Sequence, residues 1–210
     1  MDRRGFLVGV GATASLLAGC MDDPDAAAVP GNETERERGA ASDTVPPDLS
    51  YEVEGLGFDM TLPPRHTCEG ANISPGINVT TVDDAIDTLA LAFVDESTGE
   101  PYVHWLLWGL PPTISVLDPG IAPRPRVELE VDATGISETI VVTQGTNSAG
   151  SVGYTGPCPP AGDPVHTYLM TMYGLDGPVD AEPGATYDEF RRAIEGTVLS
   201  TTVYAVKGKR

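Results

Sequence analysis

The chain has 210 residues, with 31 acidic against 12 basic side chains and a formal net charge of −19. Phosphate backbones are held by clustered lysine and arginine, so this balance excludes a nucleic-acid partner and argues against direct docking on anionic headgroups. Lys207 and Lys209 are the only lysines; acid excess with scarce lysine is the composition expected of a secreted protein from a salt-loving archaeon, whose solvated carboxylates keep it soluble.

The chain opens with Arg3-Arg4 ahead of an apolar run from Phe6 to Leu17. A bilayer span needs about 20 apolar residues, so this run is too short to cross. A charged start, a short apolar core and small residues at its end describe a signal peptide. Arg-Arg-x-Phe-Leu resembles a twin-arginine signal, and Leu17-Ala18-Gly19-Cys20 resembles a lipobox. Residues 1–20 are therefore expected to direct export and to end in lipidation of Cys20. One lipid chain anchors weakly, so lasting attachment needs two. The expected location is the extracytoplasmic face of the cell membrane.

Residues 21–50 are rich in Asp, Glu, Ala, Pro and Thr and hold almost no large apolar side chains. Such a segment cannot bury enough surface to fold and reads as a disordered acidic tether. As a flexible coil of about 30 residues it would average on the order of 30 Å end to end. Asn32-Glu33-Thr34, Asn72-Ile73-Ser74 and Asn78-Val79-Thr80 fit the glycosylation acceptor pattern, a short pattern that is frequent by chance.

Residues 51–210 read as one domain. Short β runs punctuated by Gly and Pro dominate: Thr88 to Val94, Val103 to Leu110, Val127 to Val131, Thr139 to Thr143, Thr167 to Tyr173 and Thr197 to Val206. Val127, Leu129 and Val131 alternate onto one face. Thr186-Tyr187-Asp188-Glu189 is a capping box that starts a helix, with Tyr187, Phe190 and Ile194 on one stripe and Gly196 at its end. Many strands with one late helix imply a mostly β fold, a sandwich or barrel with a few short helices.

With Cys20 assigned to lipid, Cys68 and Cys158 remain. In an oxidising compartment they form either a disulfide or two buried thiols. Phe93, Trp105 and Trp108 read as core, and His66 as structural or exposed.

Residues suited to chemistry gather in three places. Asp95 follows an apolar strand, and His104-Trp105 opens the next. Gly153-Tyr154-Thr155-Gly156-Pro157-Cys158-Pro159-Pro160 forms a rigid loop, and His166-Thr167-Tyr168 opens a late strand. Histidine and tyrosine can donate to an anion, a carboxylate can fix a histidine tautomer, and glycines let backbone N–H groups approach a ligand. No Gly-x-Ser-x-Gly elbow and no phosphate-cradling Gly-x-x-x-x-Gly-Lys loop occurs. The three histidines with Asp95 lack tight metal-ligand spacing, so neither a metal nor a catalytic residue is assigned.

In this order the three motifs resemble the phosphatidylethanolamine-binding protein family, in its bacterial and archaeal, Raf kinase inhibitor-like branch. Thr67-Cys68-Glu69-Gly70-x-Asn72-Ile73-Ser74-Pro75 resembles an early segment of that branch. The resemblance runs from about Phe58 to Tyr204. It implies a β-sandwich and a small pocket for phosphate-like anions and phospholipid headgroups, lined by Asp95, His104, Gly156, Pro157 and His166, with Tyr168 beside it. No cofactor is implied.

Three departures stand out. The family's Asp-Pro-Asp-Ala-Pro stretch reads Asp95-Glu96-Ser97-Thr98-Gly99, the Arg of His-Arg-Tyr is Thr167, and a Trp is replaced by Val79. The resemblance thus points to an exported, lipid-anchored binding protein. Its alternative is an inhibitor of an extracellular protease or other enzyme through protein contact, since some members of the family inhibit kinases or peptidases.

Overall fold

A computed structural model describes residues 45–133 and 135–210. The signal, Cys20, Asn32 and nearly all of the acidic segment lie outside the described residues.

Nine strands form one antiparallel, hydrogen-bonded sheet. In chain order they are β1 (Leu49–Val53), β2 (Ile77–Val82), β3 (Thr88–Asp95), β4 (Tyr102–Leu110), β5 (Ile114–Leu117), β6 (Arg126–Ala133), β7 (Ile136–Gln144), β8 (His166–Leu175) and β9 (Val198–Gly208). The spatial order is β1-β2-β5-β6-β7-β4-β3-β8-β9. A single helix α1 (Tyr187–Ile194) and a 3-10 turn at Pro64–His66 complete the described elements.

All six sequence-read strands are present, lengthened by a few residues. β1, β2 and β5 were not read from the sequence. β1 starts at Leu49, two residues inside the segment read as tether, because Leu49 and Tyr51 are buried against the core.

The sheet curls until its two edges meet. Tyr204 of β9 donates its hydroxyl to the Tyr51 carbonyl of β1 at 2.8 Å, and the Tyr204 and Tyr51 rings pack edge to face at 5.0 Å. The sandwich expected from the sequence is thus a sheet folded on itself and nearly closed. Its interior holds Tyr51, Leu91, Phe93, Trp105, Leu107, Tyr168 and Met170.

The central strands β3 and β4 are buried on both faces. Their outer face, with Ala92, Leu106 and Trp108, is covered by Phe190 and Ile194 of α1. The helix begins as expected: Thr186 accepts from the Glu189 N–H, and the Glu189 carboxylate accepts from the Thr186 N–H at 2.8 Å. Burying Phe190 contributes about 2–3 kcal/mol. Among the described residues no helix is long and apolar enough to cross a membrane.

Candidate functional site

The site lies where β3, β4 and β8 end together beside the 153–160 loop. Asp95, the last residue of β3, pairs with Tyr102 of β4 on one side and Tyr168 of β8 on the other. Near this end β4 carries a bulge. Phe93 pairs with Trp105 and Val94 with Val103, so His104 is the extra residue. A bulge re-aims the side chain it carries. Here it lets His104 and Trp105 face the same side: His104 packs against Phe93 at 5.3 Å between ring centres, while Trp105 enters the same interior cluster. Strict alternation along the strand would have sent one of them outward.

Both histidines are oriented by partners. His104 Nδ1 lies 2.7 Å from the Thr155 carbonyl, and the Thr155 N–H donates back to the His104 carbonyl at 2.8 Å. A carbonyl only accepts, so Nδ1 of His104 carries the hydrogen. His166 Nδ1 donates to Asp95 Oδ2 at 2.6 Å. The other Asp95 oxygen accepts from the Ser97 N–H at 2.8 Å, and Ser97 Oγ accepts from the Thr167 N–H at 2.7 Å. The departure at Glu96-Ser97 therefore still holds Asp95 in place, by an Asx turn in which Ser97 takes part.

The two rings have opposite electrostatics. Burial pulls the His104 imidazole below its usual pKa, only partly opposed by the Thr155 carbonyl and by Asp95. The hydrogen bond to Asp95 raises that of His166, with Asp163 adding to it. Tyr168 sits between them, its ring 5.2 Å from His104 and 6.0 Å from His166. Burial, with the charge of Asp95, pushes its phenol well above the usual range. Gly208 of β9 makes room for this ring, since a Cβ there would come within 2.8 Å of it.

These groups surround a cavity of about 420 Å³. Of the five residues expected to line it, Asp95, His104, Gly156 and His166 do so, and Tyr168, expected beside it, lines it as well. Pro157 does not. Its carbonyl accepts from the Cys68 N–H at 3.2 Å, and it faces a smaller neighbouring cleft of about 100 Å³ together with Lys207 and Arg210. The role expected of the Gly156 N–H is also taken, because that group donates to Asn72 Oδ1 at 2.6 Å. Gly156 is small for another reason: a Cβ there would press on the His66 carbonyl oxygen and come within 2.9 Å of Thr67 Cα.

The loop is tied down on that side. Cys68 and Cys158 form a disulfide with Cα atoms 5.3 Å apart, and both line the cavity. His66 is fully buried rather than exposed; its Nδ1 lies 2.9 Å from the Ile73 carbonyl and its Nε2 accepts from Arg65 at 2.8 Å. It braces the 66–73 segment and does not reach the cavity.

Sequence reasoning missed Tyr102, Thr98, Thr155 and Asp163. Tyr102 lines the cavity with its ring 5.0 Å from His104, and Asp163 Oδ2 lies 3.6 Å from His166 Nε2. Tyr102 had a signal, since it lies two residues from His104, the strand period. Asp163 had none beyond standing three residues before His166. Among the described residues no group of three or more His, Cys, Asp or Glu side chains could hold a metal ion.

Comparison with known proteins agrees with this geometry. The profile of the family described as phosphatidylethanolamine-binding protein matches residues 57–208. A UPF0098 protein of Pyrococcus horikoshii is 32% identical over 153 residues, 72% of either chain. A UPF0098 protein of Methanothermobacter thermautotrophicus is 36% identical over 139 residues, 66% of this chain and 83% of that one. The lipoprotein candidate LppC of Mycobacterium tuberculosis is 32% identical over 133 residues, 63% of this chain and 58% of its own. The crystal structure of YBCL from E. coli, described as a member of the mammalian PEBP family, shares the fold. Its TM-score is 0.65 at 21% identity, covering 77% of this chain and 98% of that one. With the profile spanning nearly the whole folded domain and the histidines, Asp95 and the Gly-Pro-Cys loop converging on one cavity, the chain belongs to the phosphatidylethanolamine-binding protein family.

Proposed function

We propose that this protein is an extracytoplasmic binding protein, anchored by lipid on Cys20, whose cavity captures small phosphate-like anions or phospholipid headgroups. One observation carries the reading: His166, its pKa raised by Asp95, opens onto the same cavity as His104 and Tyr168. A protonated imidazole and phenol hydroxyls are donors suited to an anion. The cavity is of a size usual for small-molecule sites, which run about 300–1,000 Å³. Its two cysteines are joined to each other, which leaves no thiolate to act as a nucleophile. The lipid anchor rests on the lipobox at Cys20 and on the similarity to the lipoprotein candidate of M. tuberculosis.

Titration calorimetry of the soluble domain with inorganic phosphate and phosphoethanolamine, in high salt at about pH 6, tests the binding. Saturable binding that His166→Ala weakens at least about tenfold is expected, since charge-assisted hydrogen bonds are the strong ones. Absence of binding, or binding indifferent to His166→Ala, would overturn the reading. Metabolic labelling of the full chain with a lipid precursor, compared with Cys20→Ser, tests the anchor.

A further inference from the structure

Away from the cavity, one end of the domain gathers what the rest of the surface lacks. Lys207 of β9, with Lys209 and Arg210 just after it, lines the cleft of about 100 Å³ beside the Cys68–Cys158 disulfide, and these are the only two lysines of the chain. All three cations are exposed, and among the described residues none of them is in an ion pair. Asp59 and Glu69 share this end, while Glu54 is matched by Arg65 at 2.9 Å. Cations are not outnumbered here, as they are over the chain as a whole.

Phe58 stands beside them, wholly in water. A single exposed apolar side chain is ordinary on a protein surface. Phe58 differs in how its loop is held. The Met60 N–H donates to the Gly57 carbonyl at 2.9 Å, the Gly57 N–H donates to the Thr61 carbonyl at 3.0 Å, and Asp59 Oδ1 accepts from the Thr61 hydroxyl at 2.7 Å. The Met60 carbonyl accepts from the Lys207 N–H at 2.7 Å, which sets the loop against the cationic end. Met60 is kept at φ +63°, a conformation that residues other than glycine rarely adopt. A loop pinned in this way holds its aromatic ring outward, although burying that ring would be favourable.

An exposed aromatic ring beside long-stemmed cations is suited to a bilayer surface. The ring enters the boundary between headgroups and acyl chains, while Lys and Arg stay among the phosphates. The net charge of −19 argues against such docking for the surface at large. Charges farther away than about 8 Å are screened at about 0.15 M salt, so the face presented to the bilayer decides. A chain anchored by lipid on Cys20 has a bilayer for a neighbour at all times, which favours this occupant over a protein.

We propose that the 55–61 loop and the 207–210 end seat on the surface of an anionic bilayer, with Phe58 entering the interface and Lys207, Lys209 and Arg210 meeting lipid phosphates. This rests on the reading of the chain as lipid-anchored. Seating fixes which side of the domain meets the bilayer.

Flotation with vesicles tests this on residues 21–210, made without lipid and without the apolar run at 6–17, a chain that keeps the whole described domain. Vesicles of phosphatidylcholine with about one-third phosphatidylglycerol should carry it at the lowest salt in which it stays folded, and phosphatidylcholine alone should carry it more weakly. Phe58→Ala should lower the partition at least about tenfold, at low and high salt alike. Lys207→Gln, Lys209→Gln and Arg210→Gln should each lower it about fivefold, a loss that fades toward about 1 M salt, where screening reaches about 3 Å. Phe58→Trp should give an indole emission that shifts to the blue on the vesicles and is quenched by brominated lipid, against a constant signal from buried Trp105 and Trp108. Phe58 is fully exposed and does not line the cavity, so Phe58→Ala should keep both the unfolding midpoint and phosphate binding, which separates lost seating from lost fold. No flotation of the parent chain, the result expected of a face that docks on a protein instead, overturns the inference, as does flotation that Phe58→Ala leaves unchanged. Either result leaves the anion site standing, and labelling of Cys20 decides the anchor separately.

Discussion

The Asp95 carboxylate and the His166 imidazole meet at 2.6 Å across the β3–β8 pair, although 71 residues separate them in the chain. The contact fixes the hydrogen on His166 Nδ1, while Nε2 lies 3.6 Å from Asp163 Oδ2. Replacing Asp95 by Asn should therefore keep the shape and lower the His166 pKa. NMR titration of the imidazole should show the shift, and phosphate affinity at about pH 6 should fall roughly tenfold, as expected for loss of a charged hydrogen-bond partner.

The two histidines give stability opposite pH dependences. His166 gains a carboxylate on folding, so its pKa is raised. Its contribution is complete below the unfolded value of about 6.5 and is lost as pH rises through the folded value. His104 has its pKa lowered by burial. Its effect is a loss of stability as pH falls below about 6.5 toward the folded value, because the unfolded chain then binds the extra proton. In denaturant unfolding, the deficit of Asp95→Asn relative to the native protein should be largest near pH ~5.5 and shrink toward pH ~9. A deficit that grows with pH would contradict the assignment.

Reducing the Cys68–Cys158 disulfide, which closes a separation of 90 residues, should cost about 2–5 kcal/mol of stability. Thermal unfolding with and without reductant, and of Cys158→Ser, measures it. The same change should weaken anion binding, since both cysteines line the cavity.

Gly156→Ala should destabilise by about 1–3 kcal/mol, because the added Cβ meets backbone of the 66–67 segment that cannot move like a flexible side chain. Gly99→Ala, where a Cβ meets nothing within 4 Å, is the control and should leave the denaturation midpoint nearly unchanged.

Phe190 is fully buried against Trp108 and Tyr173, with ring centres 5.7 and 6.1 Å away. Phe190→Ala should cost about 3–5 kcal/mol, and Thr186→Ala about 1 kcal/mol through loss of the cap. Chemical denaturation separates the two by their midpoints.

Local chemistry was legible in the chain alone. The capping box at Thr186 and Glu189 starts a helix because those two side chains satisfy N–H groups three residues apart. Apolar runs such as Leu89 to Val94 announce buried strands. The spaced motifs around Asp95, His104, Gly156 and His166 carried the family and most of the cavity lining. What depends on distant partners was not legible. The bulge at His104 is a property of its register with β3, and the loss of the Gly156 N–H to Asn72 depends on a loop 84 residues away. Pro157 turned from the cavity because its carbonyl is engaged by Cys68. β1, β2 and β5 escaped notice because they are short and their burial comes from a sheet that closes on itself. Sequence determined which groups are present and in what order; tertiary structure decided which nitrogen and oxygen atoms are already spent on protein partners, and so which remain to meet a ligand.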